Sequence, residues 1–203
     1  VGGMSLGMEI GFGQDYECAA FVERDPYCTK VLKKNWKDVP VYGDIKEFNY
    51  ERERSKIGEI DIVLGGFPCQ PFSSMGKGKG FGDDRGVLFF NIEMILKAKK
   101  PKYFILENVR GLMNIQNGEV MSYIMKSLER MGYQSTYWLL NAADYGVPQT
   151  RRRVFIVGEL DGNNININPK TPPPKIPIHR RRIKSVKELL SMDVDSKYYL
   201  SEK

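Results

Sequence analysis

The sequence has little of the chemistry on which many enzymes depend. Its single histidine, His179, lies in a basic stretch after several prolines, so a reaction built on a buried histidine base is not expected. Its three cysteines form no Cys-x-x-Cys pair, which argues against a disulfide framework or a zinc site. The longest mainly apolar runs, such as Val87–Leu96, are far shorter than the ~20 residues of a membrane span, and no signal-peptide pattern opens the chain. We therefore expect a soluble, cytoplasmic protein without a metal.

The composition is that of one folded domain. Hydrophobic residues make up 41% of the 203 residues and charged residues 28%, which is enough apolar material for a sizeable core. The 31 lysines and arginines outnumber the 25 acidic residues and leave a net charge of +6. This excess favours an anionic partner such as nucleic acid without requiring one.

Short apolar strands alternate with helical segments. Strands are predicted at ECAAFV, VPVY, IDIVLGG and KYFIL, and helices from about Val87 and over Glu119–Met131, where Gly132 ends an apolar stripe. YQSTYWLL and RVFIVGEL are predicted to close the sheet as a pair. The alternation favours an α/β fold with a doubly wound, mostly parallel sheet. A proline-rich and basic composition begins at Asp161, so we expect a domain over residues 1–160 and an extended connection over 161–203.

The residues that follow each strand are candidates for a ligand site, because ligands bind outside the carboxyl ends of such sheets. Gly2 and Gly3 form a turn that enters a helix, and Glu23 follows the next strand. This spacing suits the ribose hydroxyls of an adenosine-containing cofactor, although Glu23 is equally well explained by the positive end of the following helix. Asp44 could accept from an adenine amino group, but an ordinary turn or capping aspartate is the simpler interpretation.

Cys69 differs from the other cysteines. Cys18 and Cys28 fit small buried side chains on a strand and a helix. Cys69 lies in GGFPCQPFS, directly after an apolar strand and between two prolines that keep the loop out of regular structure. A thiol on a rigid loop at the ligand edge of the sheet is placed as a nucleophile.

An acidic residue follows the neighbouring strand. Glu107 comes directly after KYFIL and is expected at the end of that strand, facing the same crevice; alternatively it caps a turn with Asn108 and Arg110. A thiol and a carboxyl without a histidine base favour addition to an unsaturated ring over acyl transfer.

Two basic segments could contact an anionic ligand. Arg151 and Arg153 are predicted to share one face of the strand that continues as VFIVG, where guanidinium groups can bind a phosphate or a base carbonyl. The glycine-rich segment GKGKGFGDDRG is either a flexible linker or a mobile lid whose basic side chains contact a nucleic-acid backbone.

Together these segments resemble the DNA cytosine-5 methyltransferases. GGFPCQPFS, ENVRGL and DYGVPQTRRRVFIVG, in this order and spacing, are similar to the fourth, sixth and eighth signature motifs of that family. VGGMSLGMEIGF, FVERDPYC and GDI are similar to the first three. The resemblance covers residues 1–160 and implies the fold of the S-adenosylmethionine-dependent methyltransferases. It also implies S-adenosyl-L-methionine as cofactor, double-stranded DNA as substrate, and a bacterial restriction-modification system in the cytoplasm, at the nucleoid.

The resemblance further implies roles for single residues. Cys69 would add to carbon 6 of a cytosine flipped out of the duplex, Glu107 would give or share a proton at ring nitrogen N3, and loss of the C5 proton after methylation would expel the thiolate. Arg153 and Arg151 would hold the base or a phosphate, and Asn108 would fix the active-site loop. The implied cofactor contacts are Gly2, Gly3, Glu23, Arg24, Asp44, Ile45, Pro68 and Leu88. The implied DNA contacts are Gln70, Ser73, Lys77, Lys79, Arg85 and Arg151.

The family pattern extends beyond these residues. The opening of the first motif, the target-recognition domain and the last two motifs are not among them, so the resemblance implies a fold incomplete at both ends. A further segment or a second chain would complete it, and we expect these residues alone to bind DNA weakly and methylate poorly. Two alternatives stay open: a tRNA cytosine-5 methyltransferase, whose usual tripeptide after the PCQ loop is not found, and a non-catalytic subunit of a split methyltransferase.

Overall fold

A computed structural model describes residues 1–48, 57–68, 87–147, 149–161 and 171–175. The helices are α1 (Gly3–Phe12), α2 (Pro26–Asn35), α3 (Val87–Lys99) and α4 (Glu119–Arg130). The strands are β1 (Phe21–Val22), β2 (Val41–Tyr42), β3 (Ile62–Gly66), β4 (Tyr103–Val109), β5 (Tyr133–Asn141) and β6 (Arg152–Leu160). Short 3-10 helices cover Gly13–Asp15, Arg110–Gly118 and Ala142–Tyr145.

The strands form a parallel pair and a mixed four-stranded sheet. β1 is parallel to β2, and the larger sheet has the order β3-β4-β6-β5. Within it β3 is parallel to β4, whereas β6 runs antiparallel to β4. The predicted α/β class is confirmed, and the strands predicted as a closing pair, β5 and β6, are neighbours in the sheet.

The core lies where α3 and α4 pack on the larger sheet. Its fully buried side chains include Phe89 and Leu96 of α3, Leu106 of β4, and Ile156 of β6. The stripe predicted for α4 is confirmed by the burial of Val120, Met121, Ile124 and Leu128. Gly132 follows the helix with φ +90°, a conformation that glycine adopts without steric cost. Each buried apolar side chain of this core stabilises the folded state by about 1.5–3 kcal/mol, because it is removed from water.

Some elements differ in extent from the sequence prediction. β1 and β2 have two residues each and are shorter than the apolar runs that contain them. β4 continues through Glu107 and Asn108 to Val109, because strands on both sides extend its ladder past the apolar run. The alternation predicts that Arg151 and Arg153 share one face of a strand. This prediction is wrong, because β6 begins at Arg152 and Arg151 precedes the strand.

The chain divides into two compact units. One comprises residues 1–140 with 152–172, and the other 141–151 with 173–203. In the second unit the Oδ1 atom of Asn141 accepts a hydrogen bond from the backbone N–H of Arg151 at 3.1 Å, and Asp144 pairs with Lys175 at 3.1 Å. The domain boundary expected at residue 160 stays a prediction. Among the described residues no helix has the length and apolar character to cross a membrane, and no cluster of acidic, histidine or cysteine side chains could hold a metal ion.

Candidate active site

Glu107 and Arg153 form an ion pair near the carboxyl end of β4. The Nε atom of Arg153 lies 2.9 Å from Oε1 of Glu107, and the side chains are 22% and 28% exposed, respectively. In the antiparallel ladder Glu107 is opposite Phe155 and Val109 is opposite Arg153, so the charged residues are diagonal neighbours on one face of the sheet. Arg153 NH1 also donates to the carbonyl of Arg152 at 2.9 Å. The carboxylate therefore pairs with Arg153 instead of capping a turn with Arg110.

The second carboxylate oxygen of Glu107 lies beside the end of β3. Gly66 is opposite Glu107 in the parallel ladder, and a Cβ atom at Gly66 would lie 3.5 Å from Oε2. Gly66 itself is exposed. The ion pair thus engages Oε1, and Oε2 lies beside Gly66.

Asn108 connects β4 to the segment after β3. Its side chain is 2% exposed; Nδ2 donates to the carbonyl of Phe67 at 2.9 Å, and Oδ1 accepts from the backbone N–H of Val109 at 2.8 Å. The Phe67 side chain packs in the core at 5% exposure, so this position is held by both its side chain and its carbonyl. Cys69 follows two residues later, outside the described residues.

Several other predicted residues also lie outside the described part of the chain. They are Gln70, Ser73, Lys77, Lys79 and Arg85. Their assignment to DNA stays a prediction.

A second group of predicted residues lies at the carboxyl ends of β1 and β2. The backbone N–H of Glu23 donates to the carbonyl of Tyr42 at 2.9 Å, which places Glu23 and Asp44 just beyond two adjacent parallel strands. Oε1 of Glu23 accepts from the backbone N–H of Asp25 at 2.9 Å. Asp25 in turn caps the N-terminus of α2, and its backbone hydrogen bonds lower the pKa of that exposed carboxyl.

Arg24 and Asp44 face each other across these strand ends. Arg24 NH1 lies 3.6 Å from Asp44 Oδ2, with side chains that are 75% and 26% exposed, respectively. Asp44 Oδ1 accepts from the backbone N–H of Lys46 at 3.0 Å, and the neighbouring Ile45 packs on the core. The structure therefore places Glu23, Arg24, Asp44 and Ile45 near one another, and their assignment to a cofactor stays a prediction.

For the remaining predicted cofactor residues the assignment stays a prediction. Gly2 precedes α1 with φ +69°, and a Cβ atom there would be 2.5 Å from the ring of Trp36. Trp36 follows α2, and its ring packs on that of Phe21 in β1 with the centroids 5.2 Å apart. Gly3 is the first residue of α1. Leu88 is half-buried in the first turn of α3, and Pro68 is exposed after β3.

Two residues of this site were not singled out from the sequence. Gly66 and Phe67 precede Pro68 and Cys69 directly, and their place in the GGFPCQ motif is the signal that points to them. Their contacts with Glu107 and Asn108 depend on the β3–β4 register, which no local pattern reveals.

The structure is an α/β fold with two groups of charged residues. Glu107 and Arg153 lie near the carboxyl end of β4, and Glu23, Arg24 and Asp44 lie at the carboxyl ends of β1 and β2. The sequence profile of the family described as C-5 cytosine-specific DNA methylase matches residues 1–203, and the chain belongs to that family. The family resemblance noted in the sequence is thereby confirmed.

Individual proteins are similar to this chain over most of its length. The Type II methyltransferase M.HaeII of Haemophilus aegyptius is 47% identical over 161 residues, which cover 79% of this chain and 48% of the relative. The Type II methyltransferase M.NgoBI of Neisseria gonorrhoeae is 41% identical over 206 residues, which cover 100% of this chain and 59% of the relative. The chain spans about half the length of the curated relatives it matches. The crystal structure of the S. pombe Dnmt2 methyltransferase has a TM-score of 0.70 at 18% identity, covering 98% of this chain and 60% of that one, and this likeness confirms the methyltransferase fold.

Proposed function

We propose that this chain forms the catalytic part of a DNA cytosine-5 methyltransferase of a bacterial restriction-modification system. Membership of the C-5 cytosine-specific family and the Type II methyltransferases among its relatives support the reaction and its setting. The structural observation that carries the proposal is the Glu107–Arg153 pair beside a backbone segment that Asn108 holds just before Cys69.

Cys69 is the proposed nucleophile. Its thiolate sulfur bonds to carbon 6 of the cytosine ring, which places electron density on carbon 5 so that carbon 5 can accept a methyl group. Loss of the proton from carbon 5 then breaks the sulfur–carbon bond and releases the thiolate. The target base reaches such a site only after it leaves the base stack, at a cost of a few kcal/mol.

Glu107 is the proposed proton partner of the ring. Oε1 is engaged by Arg153, so Oε2 is the atom that meets ring nitrogen N3 and shares a proton with it as the sulfur adds. Arg153 fixes the direction of the carboxylate, and Asn108 fixes the backbone that leads to the nucleophile. Both act by positioning, which can supply a large part of an enzyme's rate enhancement.

The residues at the carboxyl ends of β1 and β2 fit the adenosine part of S-adenosyl-L-methionine. Glu23 and Asp44 present partly exposed carboxylates, the groups that accept hydrogen bonds from ribose hydroxyls and from an adenine amino group. Ile45 and Arg24 border the same position. When bound, the cofactor supplies an electrophilic methyl group. For Gly2 and Gly3, and for Pro68 and Leu88, assignment to the cofactor rests on the motif resemblance.

DNA is the proposed macromolecular partner. The basic residues of the glycine-rich segment, together with Gln70, Ser73 and Arg151, are proposed to contact it, with lysine and arginine on the phosphates. Recognition of a particular DNA sequence is proposed to depend on a further segment or a second chain, as the family resemblance implies.

Covalent trapping tests the proposal. The full-length protein is incubated with S-adenosyl-L-methionine and DNA that carries 5-fluorocytosine at its target site, and adducts are resolved under denaturing conditions. We expect a stable adduct, none with Cys69→Ser, and an undiminished adduct with the control Cys28→Ser. If the unsubstituted protein forms no adduct, or Cys69→Ser still forms one, the proposed chemistry is wrong. An adduct with fluorinated tRNA but not with DNA would instead establish the tRNA alternative.

A further inference from the structure

Among the described residues, the two oxygens of the Glu107 carboxylate have different neighbours. Arg153 holds Oε1 at 2.9 Å. Oε2 faces Gly66, where a Cβ atom would sit at 3.5 Å, an ordinary van der Waals distance. A methyl group at position 66 would therefore fit without moving the carboxylate, but it would cover the side from which Oε2 can be approached.

The backbone at this position does not itself require glycine. Gly66 is the last residue of the extended strand β3 and is not among the glycines with positive φ, so any L-amino acid can adopt its conformation. Its neighbour Gly65 is different: a Cβ there would lie 3.2 Å from Leu106 and 3.5 Å from Ile92, so core packing accounts for that glycine. Among the described residues, neither backbone strain nor core packing accounts for Gly66, which is exposed.

We propose that Gly66 is the floor of the base-binding site and that its missing side chain leaves Oε2 of Glu107 accessible to the cytosine ring. This inference rests on the proposed function, because it assigns Glu107 to the ring. A ring lying over Gly66 would lie beside Oε2 of Glu107, the atom nearest to a Cβ at that position.

The inference predicts a graded loss of reactivity with side-chain size. In the trapping assay with full-length protein, Gly66→Ala should lower the rate of adduct formation at saturating cofactor by at least about tenfold, and Gly66→Val should lower it further. The matched control is Gly111→Ala, because a Cβ there meets nothing closer than Val109 at 3.9 Å; its rate should stay within about twofold of the unsubstituted protein. Gly66→Ala should change cofactor affinity little, because the proposed cofactor residues lie at the ends of β1 and β2. It should also change thermal unfolding little, because the added methyl group fits beside Oε2 of Glu107.

The outcomes separate this inference from the proposed function. If Gly66→Ala folds and forms adduct as fast as Gly111→Ala, Gly66 is not the floor of the site. An unfolded Gly66→Ala would also overturn the inference, since the methyl would then not fit beside the carboxylate. If Glu107→Gln forms adduct at the normal rate, the proposed role of Glu107 fails, and the inference about Gly66 fails with it.

Discussion

Arg153 lies diagonally across the β4–β6 ladder from Glu107, and this register brings its Nε atom to 2.9 Å from Oε1. Both side chains are more than two-thirds shielded from solvent, so their attraction is stronger than that of an exposed pair. The two residues are far apart in sequence, and only the antiparallel pairing makes them neighbours. The direction of the carboxylate in the proposed site follows from this contact.

Replacement of Arg153 should impair catalysis more than folding. We expect Arg153→Ala to lower the rate of adduct formation about 10²–10³-fold, the usual cost of losing one charge-assisted contact in a reaction centre. Arg153→Lys should recover little of it, since an ammonium lacks the planar donor geometry of guanidinium. The measurement is single-turnover trapping, with the exposed Arg152→Ala as control. In a double-mutant cycle with Glu107→Gln the coupling should be roughly 1–3 kcal/mol; strictly additive effects would mean that the pair does not act as a unit.

Asn108 should contribute to both stability and reactivity. Asn108→Ala leaves the carbonyl of Phe67 without its donor in a buried place, so the free energy of unfolding should fall by about 1–3 kcal/mol. Asn108→Asp should be at least as harmful, because an ionised carboxylate cannot donate to that carbonyl. Urea unfolding and the trapping rate are measured for each variant, with exposed Asn114→Ala as control. An Asn108→Ala variant with normal stability and rate would show that the Phe67 hydrogen bond has no role.

The acidic residues above β1 and β2 should determine cofactor affinity. Glu23→Gln and Asp44→Asn are expected to weaken S-adenosyl-L-methionine binding, measured by calorimetry, by roughly tenfold each, because each loses a charge-assisted hydrogen bond. Arg24→Ala should change the affinity less than about fivefold, since its exposed pair with Asp44 is worth at most about 1 kcal/mol. The control is Glu47→Gln, an exposed acid just beyond the group. Equal effects of Glu47→Gln and Glu23→Gln would remove the basis for the assignment.

Tyr133 should make stability depend on pH in the alkaline range. Its hydroxyl donates to the carbonyl of Pro101 at 2.9 Å, and burial, with a smaller effect of the Asp161 charge, raises its pKa from 10.0 to about 12. The folded state therefore holds this proton more tightly than the unfolded state. The resulting stabilisation is complete below pH 10 and is lost as the pH rises through about 12.

Urea unfolding from neutral pH to pH 12 tests this behaviour. Tyr133→Phe should lose about 1 kcal/mol at neutral pH with the hydrogen bond and should show a shallower decline above pH 10. Exposed Tyr137→Phe should follow the unsubstituted protein. Parallel pH profiles for Tyr133→Phe and the unsubstituted protein would contradict the assignment.

Much of the fold was predictable because local patterns carry it. The stripe on α4 follows from helical periodicity, and Gly132 marks its end, since both depend on residues close in sequence. The extent of β4 was not predictable in the same way. Glu107 and Asn108 are polar, and they lie inside a strand only because β3 and β6 pair with it there. The position of Arg151 before β6 was not predictable either, because its backbone N–H donates to the side chain of Asn141.

The sequence by itself determined the kinds of chemistry available: a thiol in a proline-bounded loop, a Glu-Asn pair after an apolar run, and an arginine series before another. Those assignments follow from residue type and order, which are known without knowing how distant segments pack together. Only the tertiary structure decided that Arg153 holds one oxygen of Glu107 and that the other lies beside Gly66. Strand register is set by hydrogen bonds and packing between segments far apart along the chain, and a shift of one residue would turn each side chain to the opposite face.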